Sequence, residues 1–573
     1  MQIKLAADRT INFFKENIYI ILILTMGFFI RGYGIYFDYP FGTNNIWDEI
    51  YSMVYLLDAL EYKNFFITSY NYPLLLPWMY LPALIIRLGY IALSHGIFNL
   101  NELKEFLVAG GIGQVYIIVR WYSVVFGTAT IWLLYKIYSL IFKNKISLYF
   151  LSAVYATSLV PVFLSHWGKA HSIMVFFLVL SLYFMLQFEK EKNLKYFYWS
   201  AIAAACSISI HYIGISAAIF PFLGFIFNRK LINFKTLVKA FILYAAITSF
   251  FYLANLKGIE GMIDNNKGYF ENTGFTGMAQ TGIGERFYYV IRDSFLLDPV
   301  FTLLFVILAI ISIKYIFKNN YLRYIFIGLL FNYFLMSTII VWPQMSRWLL
   351  IFVTLAIPLG AGLFVEYLIN RSLKRNLIYL ICLILLIPNI FIVYFWLSLT
   401  NHNTRNEAIE WLETNLKPGE IAYSFDMYLD APLNYEAALW HRDNNERQLS
   451  KKLNYIISHK EEFKNQGIDL RYDYNNKRYE RLGGENTKYV IVYYALSGED
   501  NRAYYNLETR EGAQEYLNNV KKYHNLSLVE KFYPTDDSDL IKSGVEDYLN
   551  NPINWRDLFK LKASGPFIEI YSK

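Results

Sequence analysis

The sequence predicts a polytopic α-helical membrane protein that carries a C-terminal α/β domain. Three observations predict it. Of the 573 residues, 55% are hydrophobic and 19% aromatic, with a mean hydropathy of +0.28, which is too apolar for a soluble enzyme. Several separated runs approach the roughly 20 apolar residues that span a bilayer. After about Thr400 the charged residues become frequent and no further run is long enough to cross. The 50 tyrosines and 46 phenylalanines suit a membrane protein, because aromatic rings favour headgroup depth. The net charge of +7 is not a nucleic-acid signal, since most Lys and Arg of the first 400 residues sit in short loops between apolar runs. No nucleic-acid partner is expected. Cys206 and Cys382 lie inside apolar runs, so neither a disulfide framework nor a thiolate metal site is implied.

Residues Met1 to Glu16 carry Lys4, Arg9 and Lys15 and are expected in the cytoplasm by the positive-inside rule. The first apolar segment, about Asn17 to Phe37, lacks a small-residue cleavage site and reads as a retained span. Further runs follow near 73–96, 114–142, 146–164, 170–188, 196–210, 213–228, 235–255, 296–317, 322–341, 347–369 and 376–398. If Pro73 to Phe98 spans, every later loop changes side. If it lies in the interface, Lys143/Lys145, Lys190/Lys192/Lys195, Arg229/Lys230/Lys235/Lys239, Lys318/Arg323 and Arg371/Lys374/Arg375 all fall in the cytoplasm. The charge bias favours the second arrangement, and predicts about eleven spans. Tyr51 to Glu61 and Tyr72 to Ile97 are then in-plane amphipathic helices within a long first external loop, roughly 38–113.

That topology places further polar stretches outside. They are Ser165-His166-Trp167-Gly168-Lys169-Ala170-His171, the turn at His211-Tyr212, the loop 256–295, and Trp342-Pro343-Gln344-Met345-Ser346-Arg347. Loop 256–295 is long for a structureless connection and reads as a lid or as disorder. The expected localisation is a cell membrane, of the prokaryotic plasma-membrane kind, with the N-terminus cytoplasmic and the domain 401–573 external. In that domain Asn406 to Leu416 reads as an amphipathic helix ended by Lys417-Pro418-Gly419. Glu420–Phe425, Lys488–Tyr494, Leu526–Phe532 and Phe567–Tyr571 read as strands. Alternating helices and strands predict a small α/β domain.

The chemistry starts from Asn44-Asn45-Ile46-Trp47-Asp48-Glu49-Ile50, two adjacent carboxylates just past the first membrane exit. A carboxylate there can take a proton from a hydroxyl, and its neighbour's like charge calls for a cationic partner. The plainer reading is a solvated loop. Arg31 and Arg120 sit at the outer ends of their runs, where an arginine is costly unless it is paired or reaches water. They either snorkel to the headgroups or, for Arg120, pair with the acids and aim one of them. Lys169, His171 and Arg347 are the cations that a bound phosphate would need. Singly, each is an ordinary interfacial residue. His166 and His211 lack a spaced carboxylate and make a poor metal site.

The pattern of Phe28-Phe29-Ile30-Arg31, Trp47-Asp48-Glu49, Asn71-Tyr72-Pro73-Leu74-Leu75, Val119-Arg120-Trp121-Tyr122-Ser123-Val124-Val125-Phe126-Gly127 and the Lys169 loop resembles the GT-C membrane glycosyltransferases. The branches it is most similar to are the protein O-mannosyltransferases and the lipid A aminoarabinose transferases. The resemblance covers roughly residues 10–400. It implies transfer of a sugar from a polyprenyl-phosphate carrier to a lipid, glycan or protein acceptor outside the cytoplasm, with inversion at the anomeric carbon. It implies Asp48 as the base, Glu49 as its neighbour, Arg120 (with Arg31) as catalytic support, and Arg347 near the lipid phosphate. Lys169, His171 and Tyr72 are assigned to the donor phosphate with it. The chain departs from the family at Tyr72, where His-Pro-Pro-Leu is common and the lipid A branch has lysine, and at His171, where an aspartate is common.

The residues agree with that chemistry. A phosphate leaving group needs cationic stabilisation, and the acceptor hydroxyl needs one positioned base. No Walker-type phosphate loop is present, and the loops of the membrane region lack the spaced Asp-x-Asp signature of metal-dependent oligosaccharyltransferases. No cofactor is expected; a divalent metal is possible and not favoured. Two other classes remain. A transporter or flippase for a lipid-linked sugar usually shows repeated halves, and no such symmetry is visible. A non-catalytic envelope protein would leave the acid pair without a role.

Overall fold

The structure is a computed structural model that describes residues 2–36, 74–107, 113–253, 283–339, 349–424, 431–443, 450–464, 466–472, 486–494, 510–543 and 554–573. The described residues divide into two compact units. Residues 2–35, 74–83 and 119–394 make the first; Tyr36, 84–107, 113–118 and those from Phe395 onward make the second.

The described residues of the eleven apolar runs expected to cross are mainly helical. In chain order the helices are α1 (Gln2–Gly32), a π-helical turn (Leu75–Tyr80) continued by α2 (Leu81–His95), α3 (Leu100–Phe106), α4 (Gly113–Tyr138), α5 (Lys145–Ala156), α6 (Leu159–Ser165), α7 (His171–Glu191) and α8 (Leu194–Ile210). A 3-10 turn (Tyr212–Ala218) leads into α9 (Ile219–Phe227), followed by α10 (Phe234–Leu253), α11 (Ile283–Leu297), α12 (Pro299–Ile311), α13 (Ile313–Lys318), α14 (Asn320–Ile339), α15 (Leu350–Asn370) and α16 (Arg375–Ser398). Among the described residues five helices are long and apolar enough to cross a bilayer, or six if α5 and α6, bent by 53°, form one span. Shorter apolar helices occupy Asn17–Gly32, Tyr212–Phe227 and Pro299–Ile311. The chain is a multi-pass membrane protein. Its in-plane candidate Tyr72 to Ile97 is helical from Leu75 to His95, while Tyr51 to Glu61 lies outside the described residues.

Local sequence sets the breaks. The Asn144 and Asn193 side chains accept from the N–H groups of Ile146 and Lys195 and so start α5 and α8. Pro299 stands at the first turn of α12, where its missing N–H costs nothing. The expectation of a loop over 256–295 is corrected at its far end. Val290, Asp293, Ser294 and Leu297 form a buried stripe at helical spacing in α11. Two of those four are polar, which hid the stripe from a reading of apolar periodicity.

Burial separates centre from edge in the first unit. The apolar window of α15 is 83% buried, against 28% for α16 and 6% for α10, whose apolar faces are left exposed. A Cβ at Gly360 would lie 2.7 Å from the Phe305 Cα, so glycine lets the backbones of α15 and α12 touch. Two polar nodes tie helices together, as buried polar groups require. Glu189 accepts from Lys192 Nζ (2.8 Å), Asn228 Nδ2 (2.9 Å), Asn320 Nδ2 (3.2 Å) and Tyr324 OH (3.3 Å). Asp298 accepts from Ser158, at the α5–α6 break, and from Asn389 of α16.

In the second unit β1 (Ile421–Ser424), β2 (Leu470–Tyr472), β3 (Thr487–Tyr494), β4 (Ser527–Phe532) and β5 (Phe567–Ser572) form one mixed sheet in the order β2-β1-β3-β5-β4. β2, β1 and β3 run parallel; β5 is antiparallel to both β3 and β4. Helix α17 (Thr404–Asn415), capped by the Asn403 side chain, buries Ala408, Ile409 and Leu412 and sets Trp411 at 5.1 Å from the Tyr489 ring. Gly419, at φ +88°, turns the chain from it into β1. β2 was not expected: three residues are too few to show alternation.

Candidate functional site

Asp48, Glu49, Tyr72 and Arg347 lie outside the described residues. Arg31, Arg120, Lys169 and His171 are described, and all four are buried in the first unit. The snorkelling reading of the two arginines is thereby replaced by a packed one.

Arg31, in the last turn of α1, is 0% exposed. Its Nη1 donates to the carbonyls of Gly27 (3.1 Å) and Ala156 (3.0 Å), and its Nη2 to that of Tyr155 (3.2 Å). Ala156 and Tyr155 end α5, where carbonyls lose their intrahelical donors. The guanidinium thus closes the broken end of α5. Gly127 of α4 leaves it room: a Cβ there would meet Ser165 Oγ at 2.3 Å and Arg31 Cδ and Nε at 3.3 Å.

Arg120, of α4, donates from Nη1 to the carbonyl of Ile35 (2.8 Å). His166, just past the end of α6, sets Nε2 at 2.7 Å from the Tyr33 carbonyl oxygen and Nδ1 at 3.0 Å from that of Val162. Arg120 Nη1 and His166 Nε2, from different elements, therefore sit against backbone carbonyls two residues apart, in the turn that leaves α1. Burial pushes the His166 pKa down to about 4, and the charges of Arg120 and Arg31 act in the same direction. The imidazole is neutral at neutral pH and carries one N–H.

The stretch Ser165–His171, which joins α6 to α7, is buried throughout. Tyr80 OH donates to the Gly168 carbonyl (3.2 Å) and Ser123 Oγ to the Lys169 carbonyl (3.3 Å). Lys169, 6% exposed, holds Nζ at 4.4 Å from the Trp167 ring centre, a cation–π contact. His171 opens α7 with its ring centre 5.3 Å from that of His211. His211 Nδ1 accepts from the Ile213 N–H (3.3 Å), which leaves Nε2 as the protonated nitrogen of its neutral form.

Four predicted residues thus collect around one buried connection. Arg31 closes the helix before it, and Arg120 lies one turn from the serine that holds it. Lys169 and His171 belong to it. What the sequence missed are the holders, His166, Tyr80 and Ser123. Each touches a backbone carbonyl, and a carbonyl has no residue identity, so no spacing rule could have signalled them. Among the described residues no three of His, Cys, Asp and Glu come together as a metal-binding group. The tail does hold one Asp-x-Asp spacing, Asp537-Ser538-Asp539, but Asp537 accepts from the Asp539 and Leu540 N–H groups and lies 3.0 Å from Lys560 Nζ.

Residues 111–255 match the family model of the dolichyl-phosphate-mannose-protein mannosyltransferases, about a quarter of the chain. That stretch holds Arg120, His166, Lys169, His171 and His211. The chain is also similar in structure to an oligosaccharyltransferase of Archaeoglobus fulgidus, solved with a tethered acceptor peptide that contains an NVT sequon. The identity is 11% and the TM-score 0.42, over 84% of this chain and 69% of that one. No curated protein matches the sequence. The resemblance to GT-C membrane glycosyltransferases is borne out over the matched stretch.

Proposed function

We propose that the chain is an integral-membrane glycosyltransferase that moves a sugar from a polyprenyl-phosphate donor to an acceptor hydroxyl on the external face, with inversion. The observation that carries this reading is the buried connection Ser165–His171 with Arg120 beside it, in the stretch that matches the mannosyltransferase model. A desolvated lysine there is suited to a phosphate, since charge attraction strengthens as water is excluded.

In this mechanism the Asp48 carboxylate takes the acceptor proton as the hydroxyl oxygen attacks the anomeric carbon. The bond to the donor oxygen breaks, and its electron pair leaves on the polyprenyl phosphate. Stabilisation of that developing charge is assigned to Lys169 and His171, with Arg347 and Tyr72. Arg120 and Arg31 support the acid pair by fixing the turn after α1 and the helix end behind it. The donor's prenyl tail sits among membrane lipids, and the acceptor is a lipid, glycan or protein. A metal-independent reaction is the favoured form of this proposal, because the membrane-region loops lack an Asp-x-Asp signature.

The test is transfer from a labelled polyprenyl-phosphate sugar by membranes holding the full chain. Asp48→Asn is expected to abolish transfer with expression intact; retained transfer removes Asp48 as the base.

A further inference from the structure

At the other end of the first unit a cavity of about 400 Å³ opens between two loops, within the roughly 300–1,000 Å³ of small-molecule sites. It is lined by Lys143, Asn144, Lys145 and Arg375 on the polar side and by Ile146, Ile369, Leu373 and Ile378 on the apolar side. Among the described residues no acidic one lines it. The carboxylate near it, Glu366, is engaged by the Ser147 hydroxyl at 2.8 Å. Arg375 donates to Tyr379 OH at 3.3 Å, and no ion pair within 4.0 Å to a described carboxylate holds it, Lys143 or Lys145.

Both walls are shaped by specific local structure. On one side the N-terminus of α5, capped by the Asn144 side chain, lines the cavity with its positive dipole end. On the other, α15 ends in a turn in which Ser372 N–H bonds the Ile369 carbonyl (2.8 Å) and Leu373 N–H that of Leu368 (3.4 Å), with Ser372 at φ +56°. That turn directs Leu373 to the cavity and starts α16 with Arg375. Beyond Arg375, α16 shows Leu377, Leu380, Leu383 and Ile384 to the outside.

The geometry points to a binding site for the phosphate of an anionic phospholipid, its headgroup among Lys143, Lys145 and Arg375 and its acyl chains along the exposed face of α16. The site needs both features, a cation cluster for phosphate and a lipid-facing apolar wall that leads away from it. Basic pockets between membrane helices on the cytoplasmic side take such headgroups, and the same lysines and arginines mark this end as cytoplasmic by charge bias. The inference does not depend on the glycosyltransferase reading, which concerns the other polar cluster.

The full chain, reconstituted in nanodiscs of equal phosphatidylglycerol and phosphatidylcholine, is released into mass spectrometry and its retained lipids are counted. The wild type is expected to retain phosphatidylglycerol preferentially. Lys143→Ala/Lys145→Ala/Arg375→Ala should lower that retention roughly tenfold or more, while Lys190→Ala/Lys195→Ala/Lys239→Ala, which removes equal charge away from the cavity, should not. Lys145→Glu alone gives a second, milder variant with the same direction. Equal loss in both triple variants, or retention unchanged by the cavity variants, overturns the site. So does displacement of the lipid by millimolar inorganic phosphate, which would make it a site for the free anion.

Discussion

The Arg120 guanidinium donates to the Ile35 carbonyl at 2.8 Å, joining the start of the stretch that matches the family model to the turn that leaves the first helix. This donor, with His166 against the Tyr33 carbonyl, holds the turn that follows α1. Arg120→Ala leaves that carbonyl without this donor, and an unsatisfied buried acceptor costs about 1–3 kcal/mol. Thermal unfolding in detergent should show a lower midpoint, and sugar transfer should fall by more than the loss of folded protein explains. Arg120→Lys, which keeps the charge with fewer donors, should recover part of both.

His166 makes stability depend on pH. Its pKa falls from 6.5 to about 4 on folding, so the unfolded chain binds the proton first as pH drops. The stabilisation is complete above pH 6.5 and is lost as pH falls through the folded value near 4, by up to about 3 kcal/mol. Denaturation followed from pH 7 to pH 4 should show this slope, and His166→Gln should flatten it.

Arg31→Leu removes the donors that close α5 and leaves the Ala156 and Tyr155 carbonyls buried. A loss of about 3 kcal/mol or more is expected, seen as a collapse in the yield of folded protein on size-exclusion chromatography. Gly127→Val should have a similar effect, because its Cβ would overlap Ser165 Oγ and press on Arg31.

Gly360→Ala is a test of packing remote from the polar cluster. The added methyl would meet the Phe305 backbone, which has no rotamer to give, and overpacking of that kind costs about 1–3 kcal/mol. Unfolding should shift by that amount with the transfer rate per folded molecule unchanged.

Treatment with a chelator should leave sugar transfer unchanged. The expectation comes from the missing Asp-x-Asp signature in the membrane-region loops. A rate that falls with chelation and returns with a divalent cation would reverse it.

Much of this was legible in the residues alone. Long apolar runs punctuated by Asn, Lys and Pro fold as helices because each run satisfies its own backbone in lipid, and the capping residues Asn144 and Asn193 are local signals. The strands β1, β3, β4 and β5 followed from short β-branched and aromatic runs. The match over residues 111–255 contains Arg120 and Lys169, while Arg31 and Arg347, which sequence reading also singled out, lie outside it. Less legible were α11, whose buried stripe includes Asp293 and Ser294, and β2, which is only three residues long.

The sequence by itself determined that the chain is a helical membrane protein with an α/β tail, and which cations and acids could do chemistry. Only the tertiary structure decided what those cations hold. Arg31 and Arg120 do not reach out to solvent but are buried against carbonyls of Ala156, Tyr155 and Ile35, with His166 against the Tyr33 carbonyl beside them. The reason is physical. Hydrophobic period is written residue by residue, whereas a guanidinium donating to a distant main-chain oxygen depends on where the backbone passes, and every residue type offers that oxygen alike.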